Sequence, residues 1–310
     1  MTSSIPPSPH STTQNSHGVV VPQAIAHRGN DQRHPENSLE AIQGAVEAGC
    51  DGIEADLRVS RDGVVVLAHD RTLERCFGVD KAVCDCDWAY LQTLETLREP
   101  RCRIPRLADV LQYLAGQNVW LLLDIKQLDN PPSIIPQISS TLAAVPSSTP
   151  WNARLTLGCW TAAFLPLIQA HLPGFPVALI TFSLRYARQF LAVPNVGFNL
   201  NQKLLMGPLG RGFVDEAREK KRAVYVWTVN DEELVSWCLR ARVDGVVTDC
   251  AAMVREKVAA WDGKQVGHRV RRRLRAQAWT MSLAAVLFGW FFEWKYLLPV
   301  KKAGSKQLHV

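Results

Sequence analysis

Eight short apolar runs, at residues 22–27, 51–57, 119–124, 155–159, 177–181, 196–200, 223–228 and 244–248, alternate along the chain with helical or looped stretches. Runs of this length bounded by turn residues read as strands buried on both faces, the kind found in parallel sheets. Parallel neighbours need a crossover between them, usually a helix, so the pattern commits the chain to repeated βαβ units. Eight such units in about 230 residues is the count and size of a (β/α)8 TIM barrel, α/β in class. A chain of 310 residues with 47% hydrophobic content accommodates one such domain with tails at both ends.

The first unit shows the most detail. Gln23 to Ala26 and Gly52-Ile53 are apolar stretches separated by a helical pattern. Leu39, Ile42 and Val46 fall on one helical face, Ser38 or Asn37 is placed to cap the start, and Gly49 stands where a C-terminal stop is expected. Beyond Asp56 the chain runs Leu57 to Ser60, turns at Asp62-Gly63 and returns through Val64 to Ala68. Asp-Gly between apolar residues is a strong hairpin signal. A two-residue loop pairs Arg61 with Val64 and brings His69 opposite Asp56; a three-residue loop brings it opposite Ala55. Either register returns His69 to the level of the carboxylates, and makes 64–69 an antiparallel arm rather than a ninth barrel strand.

Functional groups of such barrels gather at the C-terminal ends of the strands. Those positions hold His27, Arg28, Glu54, Asp56, Asp124 and Lys126. Glu54 and Asp56 are two apart, so on a strand they share a face, where they repel unless a cation lies between them. With Asp124 as third ligand the donors are all oxygen, which suits Mg²⁺ or Ca²⁺ better than zinc. Arg28 offers a planar fork for phosphate oxygens and Lys126 a point charge. His27 and His69 suit general acid–base work, because imidazole titrates near neutrality. Together these groups suffice for metal-assisted cleavage of a phosphodiester. Trp160 and Trp227 end two later strands and are candidate pocket walls, with core packing as the alternative. For Glu36 and Asn37 the reading is support of the first loop, and a helix cap is the simpler account.

His27-Arg28-Gly29, Pro35-Glu36-Asn37-Ser38, Glu54-Ala55-Asp56, His69-Asp70, Thr72-Leu73-Glu74-Arg75, Leu123-Asp124-Ile125-Lys126, Val226-Trp227-Thr228-Val229-Asn230 and Asp244-Gly245-Val246-Val247-Thr248-Asp249 stand in the order of the glycerophosphodiester phosphodiesterase family. The chain resembles that family across roughly residues 22–255. It carries Asp124 where many members have Glu. Within the family, Leu123-Asp124-Ile125-Lys126, Gly158-Cys159-Trp160 and the apolar C-terminal stretch are similar to the fungal phosphatidylglycerol-specific phospholipases C. The resemblance implies a barrel with a divalent cation and a two-step route. One histidine deprotonates a glycerol hydroxyl that attacks its own phosphate, the other protonates the leaving alcohol, and water then opens the cyclic phosphate.

Domain boundaries follow from composition. Residues 1–19 are rich in Ser, Thr, Pro, Gln and Asn and lack a secretory h-region, which reads as a disordered arm. Residues 20–258 are the barrel, with 70–105 an insertion of little periodicity, and Pro131-Pro132 and Pro146 to Pro150 mark loops. Residues 259–275 form a basic linker, with Arg269, Arg271, Arg272, Arg273 and Arg275. Net charge is +6, but no aromatic interleaving accompanies the block, so no nucleic-acid partner is expected. Facing an anionic membrane surface fits its position better. Residues 276–300 form a hydrophobic segment, Ala276 to Phe292 carrying no charge, with Trp279, Trp290, Trp294 and Tyr296 suited to a membrane interface. The alternative for it is a final core helix. The eight cysteines show no zinc spacing and read as free thiols of a reducing compartment.

These features predict a membrane-associated enzyme facing the cytosol, on the endoplasmic reticulum, the mitochondrial outer surface or a lipid droplet. Its expected substrate is a glycerophospholipid, foremost phosphatidylglycerol. The alternatives are hydrolysis of soluble glycerophosphodiesters and an inactive, membrane-tethered binding module.

Overall fold

The computed structural model describes Pro9 and residues 13–29, 32–126, 131–208, 210, 212–264 and 272–296. Most of the 1–19 arm, the 265–271 part of the basic linker and residues 297–300 lie outside the described residues. A short antiparallel ribbon, β1 (Thr13–Gln14) and β2 (Val20–Val21), precedes the main sheet. Then follow β3 (Gln23–Ala26), β4 (Gly52–Val59), β5 (Val65–Leu67), β6 (Trp120–Ile125), β7 (Leu155–Cys159), β8 (Val177–Thr181), β9 (Val196–Asn201), β10 (Val224–Trp227) and β11 (Gly245–Thr248). The sheet order is β3-β11-β10-β9-β8-β7-β6-β4-β5, and β3 also pairs with β4, which closes eight strands into a parallel (β/α)8 barrel. All eight fall where the apolar runs predicted them. β5 is the antiparallel arm.

The described residues divide into two compact units, one holding Pro9, Ala26–Cys159 and Phe164–Phe175, the other Thr13–Ile25, Trp160–Ala163 and those from Pro176 to Tyr296. In the first, the helix Leu39–Glu47 is capped by Ser38, whose Oγ accepts from Ala41 N–H at 3.0 Å. Gly49 follows with φ 68°, a left-handed stop. β4 is buried along its whole length, as the apolar run required. Its hairpin to β5 takes the three-residue register: Leu57 lies opposite Leu67, Val59 opposite Val65, and Ser60 N–H donates to Val64 O at 2.9 Å. Continuing that ladder brings His69 level with Ala55.

Residues 70–105 are not featureless. They fold into short helices, Glu74–Phe77, Val83–Asp85 and Trp88–Leu91, over a small apolar core of Leu73, Val83, Cys86, Leu91 and Ile104 packed on Val66 and Ala68 of the arm. Pro131-Pro132 open the helix Pro131–Ala144 rather than a loop, as proline is tolerated in a first turn, where its missing N–H would have no partner anyway.

In the second unit the C-terminal helix starts ahead of the expected hydrophobic segment. The helix begins at Arg272, inside the expected linker, and runs to Tyr296. It packs on the short helix Gln202–Met206. Ala278 and Ser282, one turn apart, are each only 1% exposed. The approach is close enough that a Cβ on Gly207 would stand 2.5 Å from Ser282 Cβ. Trp279 and Leu283 face outward at 55% and 57% exposure. Among the described residues no helix is long and apolar enough to cross a membrane. The eight cysteines are all free, and five of them are buried.

Candidate active site

All the predicted chemical groups except the two tryptophans belong to the first unit. Parallel pairing aligns Asp56 on β4 with Asp124 on β6 as register partners, which sets their side chains side by side. Glu54 lies two residues back on the same face. One oxygen from each of these three carboxylates lies within 4.8 Å of the others. Oxygens sharing one hard cation at 2.3–2.6 Å can be no more than about 5 Å apart, so the set fits a single ion.

The cluster is nearly buried, with Glu54, Asp56 and Asp124 at 4%, 1% and 6% exposure, so its charges must be compensated nearby. Lys126 Nζ reaches Asp56 Oδ1 at 2.5 Å and Asp124 Oδ2 at 2.6 Å. Arg28 Nε stands 3.2 Å from Asp56 Oδ2, and Arg28 N–H donates to Glu54 Oε2 at 3.0 Å. Burial would raise Asp56, but Lys126 and Arg28 outweigh it and hold its carboxyl below the ordinary range. For Glu54 the lowering pull of His27 and Lys126 does not offset its burial. Burial, then the neighbouring Asp56, pushes it up to about 7. Three carboxylates against two side-chain cations leave a negative excess that a divalent cation would neutralise.

The histidines flank this cluster. His27 follows β3 directly, and its Nε2 stands 3.9 Å from Glu54 Oε2. His69 ends the arm, its carbonyl clamped by Arg58 at 2.6 and 3.1 Å. Its Nδ1 lies 2.7 Å from Asp70 Oδ1, which leaves Nε2 for chemistry. Burial lowers His69 below the usual imidazole value, against the pull of Asp56.

Five further residues shape the site. Asn37 donates through Nδ2 to Asp56 Oδ2 at 2.8 Å and accepts from Asp56 N–H at 3.1 Å, so it orients a carboxylate of the cluster. The cap is Ser38, and Asn37 takes φ 58°, a backbone region asparagine tolerates. Glu36 accepts from Arg28 Nη1 at 2.9 Å and from both terminal nitrogens of Arg75. Asp70, Arg75 and Arg58 complete the surround. Asp70 and Arg75 stand inside motifs visible in the sequence, but no spacing rule says what they touch.

Trp160 and Trp227 belong to the second unit, where they meet Phe182 in a cluster at the ends of β7, β8 and β10. Ring centroids are 5.9 Å apart for Trp160–Phe182, 6.3 Å for Trp160–Trp227 and 5.3 Å for Phe182–Trp227. Trp227 Nε1 donates to Asn199 O at 3.1 Å.

Fold and site together define a (β/α)8-barrel phosphoric diester hydrolase with a carboxylate cluster built for a divalent cation. The chain belongs to the glycerophosphoryl diester phosphodiesterase family, whose sequence model matches residues 27–253. It is 25% identical over 234 residues to a glycerophosphodiester phosphodiesterase of Caldanaerobacter subterraneus, covering 73% of this chain and 93% of that one. A Bacillus altitudinis glycerophosphodiester phosphodiesterase is 25% identical over 248 residues, covering 76% and 98%. Among solved structures, an Oleispira antarctica phosphodiesterase in complex with its product sn-glycerol-3-phosphate superposes with a TM-score of 0.68 at 21% identity, over 77% of this chain and 98% of that one. At that identity the likeness speaks for the fold alone.

Proposed function

We propose that the protein hydrolyses soluble glycerophosphodiesters to glycerol 3-phosphate and an alcohol, rather than phosphatidylglycerol in a bilayer. The expectation of a lipid substrate rested on the C-terminal stretch acting as a tether. That stretch is a helix that buries Ala278 and Ser282, and the relatives named above act, by their names, on glycerophosphodiesters. The observation that carries the reading is the convergence of Glu54, Asp56 and Asp124 with Lys126, Arg28 and two histidines.

Glu54, Asp56 and Asp124 would hold a divalent cation, which supplies charge neutralisation at the phosphate when bound. Arg28 and Lys126 orient the phosphoryl oxygens and stabilise the charge that develops on them. One imidazole takes the proton of the glycerol hydroxyl adjacent to the ester, whose oxygen attacks phosphorus as the alcohol departs. The other donates a proton to the departing oxygen. Internal attack is favoured by proximity. The same two nitrogens, with roles exchanged, activate the water that opens the cyclic phosphate. His27 and His69 are the acid–base pair in this scheme.

The exposed Trp279 and Leu283 beside Arg272, Arg273 and Arg275 suit transient contact with an anionic lipid surface. This second reading concerns where the enzyme resides rather than what it cleaves.

The test compares glycerophosphocholine with vesicles of phosphatidylglycerol, each with Mg²⁺, with Ca²⁺ and with chelator. Glycerol 3-phosphate released from the soluble diester in the presence of a divalent cation, with loss of at least about a hundredfold in His27→Ala, is expected. Diacylglycerol as the main product would overturn the soluble-substrate reading.

A further inference from the structure

We propose that Arg75 is a positioning residue that holds the phosphate-binding Arg28 and the acid–base His69 in register through two carboxylates at once. The inference rests on the site reading above. Arg75 stands at the start of the 70–105 segment, in the short helix Glu74–Phe77. Its guanidinium has two faces of donors, and both are used. Nη1 and Nη2 donate to Glu36 Oε2 and Oε1 at 2.9 and 2.6 Å, while Nε donates to Asp70 Oδ2.

Each partner leads on to the chemistry. Glu36 Oε1 also accepts from Arg28 Nη1 at 2.9 Å, and Arg28 in turn faces Asp56. Asp70 Oδ1 accepts from His69 Nδ1 at 2.7 Å. The order is therefore Asp56, Arg28, Glu36, Arg75, Asp70, His69, with charge alternating from Asp56 to Asp70 and Arg75 joining the two carboxylates that lead to Arg28 and His69. Burial alone would raise Asp70, yet hydrogen bonds from Arg75 and His69 overcome it and keep the carboxylate ionised. An ionised Asp70 is what fixes the Nδ1–H tautomer and leaves Nε2 of His69 as the reactive nitrogen.

Only a planar fork can do this. A lysine at 75 would keep the charge but offers one compact ammonium, unable to engage both carboxylates in these directions. Removing Arg75 frees Glu36 and Asp70 to rotate, and with them Arg28 and His69. Supports of this kind are worth about 10–100-fold in activity. The segment that supplies Arg75 has its own apolar core around Leu73, Val83 and Leu91, so the fork is carried by a folded element rather than a free loop.

The experiment uses the full chain as Arg75→Ala, Arg75→Gln and Arg75→Lys, alone and combined with Asp70→Asn. With glycerophosphocholine and a divalent cation, Arg75→Ala is expected to lower kcat about 10–100-fold while KM moves by less than about threefold. Arg75→Lys is expected to remain impaired, and added guanidinium ion to restore part of the Arg75→Ala rate. Asp70→Asn should cost little more on top of Arg75→Ala, since both cut the same connection. A second readout needs no turnover: the hydrogen-bonded Nδ1 proton of His69 in ¹⁵N-histidine-labelled protein should lose its protected resonance in all three variants. Parental kcat in Arg75→Ala, full activity in Arg75→Lys, or an unchanged His69 resonance would each overturn the proposal. A parent that cleaves no glycerophosphodiester, yet whose His69 signal responds to Arg75, would sink the functional reading and leave the positioning role standing.

Discussion

Asn37→Gly is expected to weaken divalent-cation binding about 10–100-fold, the usual cost of removing a hydrogen-bonding partner of a metal-binding side chain. The Asn37 amide holds Asp56 at two points, the carboxylate at 2.8 Å and the backbone N–H at 3.1 Å, and both residues are buried. Losing the bond to a charged oxygen and leaving a buried N–H without its partner together costs about 2–4 kcal/mol of stability, with some overlap between the two effects. For a domain of this size that is a drop of about 4–16 °C in Tm. Glycine is chosen because Asn37 has φ 58°, which alanine adopts only at a strain of about 1–2 kcal/mol. Asn37→Ala should therefore melt lower than Asn37→Gly by up to about 1 kcal/mol, after the looser unfolded chain of the glycine variant is allowed for. Calorimetric titration with Mg²⁺ or Ca²⁺ measures the affinity, and scanning fluorimetry the stability. A glycine variant that binds the cation and melts like the parent would show that Asn37 does no more than shape the turn before the first helix.

Three other outcomes are expected. A divalent cation should stabilise the protein more at pH 7.5 than at pH 5.5. Glu54 is pushed up to about 7 from its ordinary 4.5, so the folded state keeps a proton that the unfolded chain has lost. Stability from that proton erodes as pH rises across the interval, and a cation then takes its place. At a hundredfold excess over Kd the gain is about 2.7 kcal/mol, or about 5–11 °C, and equal Tm shifts at both pH values would contradict the assignment. Because burial lowers His69 from 6.5, the acid limb of kcat/KM should fall below that pH; a limb above it would remove His69 as the group deprotonated for catalysis. Finally, Gly207→Val should dislodge the Arg272–Tyr296 helix, since even a Cβ there would meet Ser282 Cβ at 2.5 Å. Limited proteolysis would then cut beyond residue 264 while turnover of glycerophosphocholine persists, and unchanged protection would count against the packing.

Much of this was legible in the residues. The barrel strands lie within a residue or two of the apolar runs, because burial on both faces leaves a continuous apolar signature. Glu54, Asp56, Asp124 and Lys126 converge as the strand ends implied. The hairpin register was left open between two loop lengths. It was decided by Ser60, whose Oγ accepts from Val64 N–H at 2.8 Å and which thereby enters the ladder. Other features were out of reach. Asn37 looks like a cap until β4, nineteen residues on, is placed beside it. Arg75 and Glu36 meet across a separation of 39 residues, which no local pattern encodes. At the C-terminus, hydropathy drew the eye to Trp279 and Trp290, whereas the packing is signalled by size: small Ala278 and Ser282 recur one helical turn apart and admit a close neighbour.

Among the described residues, the charged side chains shown around the carboxylates, from His27 to Lys126, come from the Ala26–Cys159 stretch of the first unit. Such an arrangement makes the chemistry heritable as a single block. Recombination downstream of Cys159 would pass on the three carboxylates, Arg28, Lys126 and both histidines together, while Trp160, Phe182 and Trp227 would lie in the part exchanged.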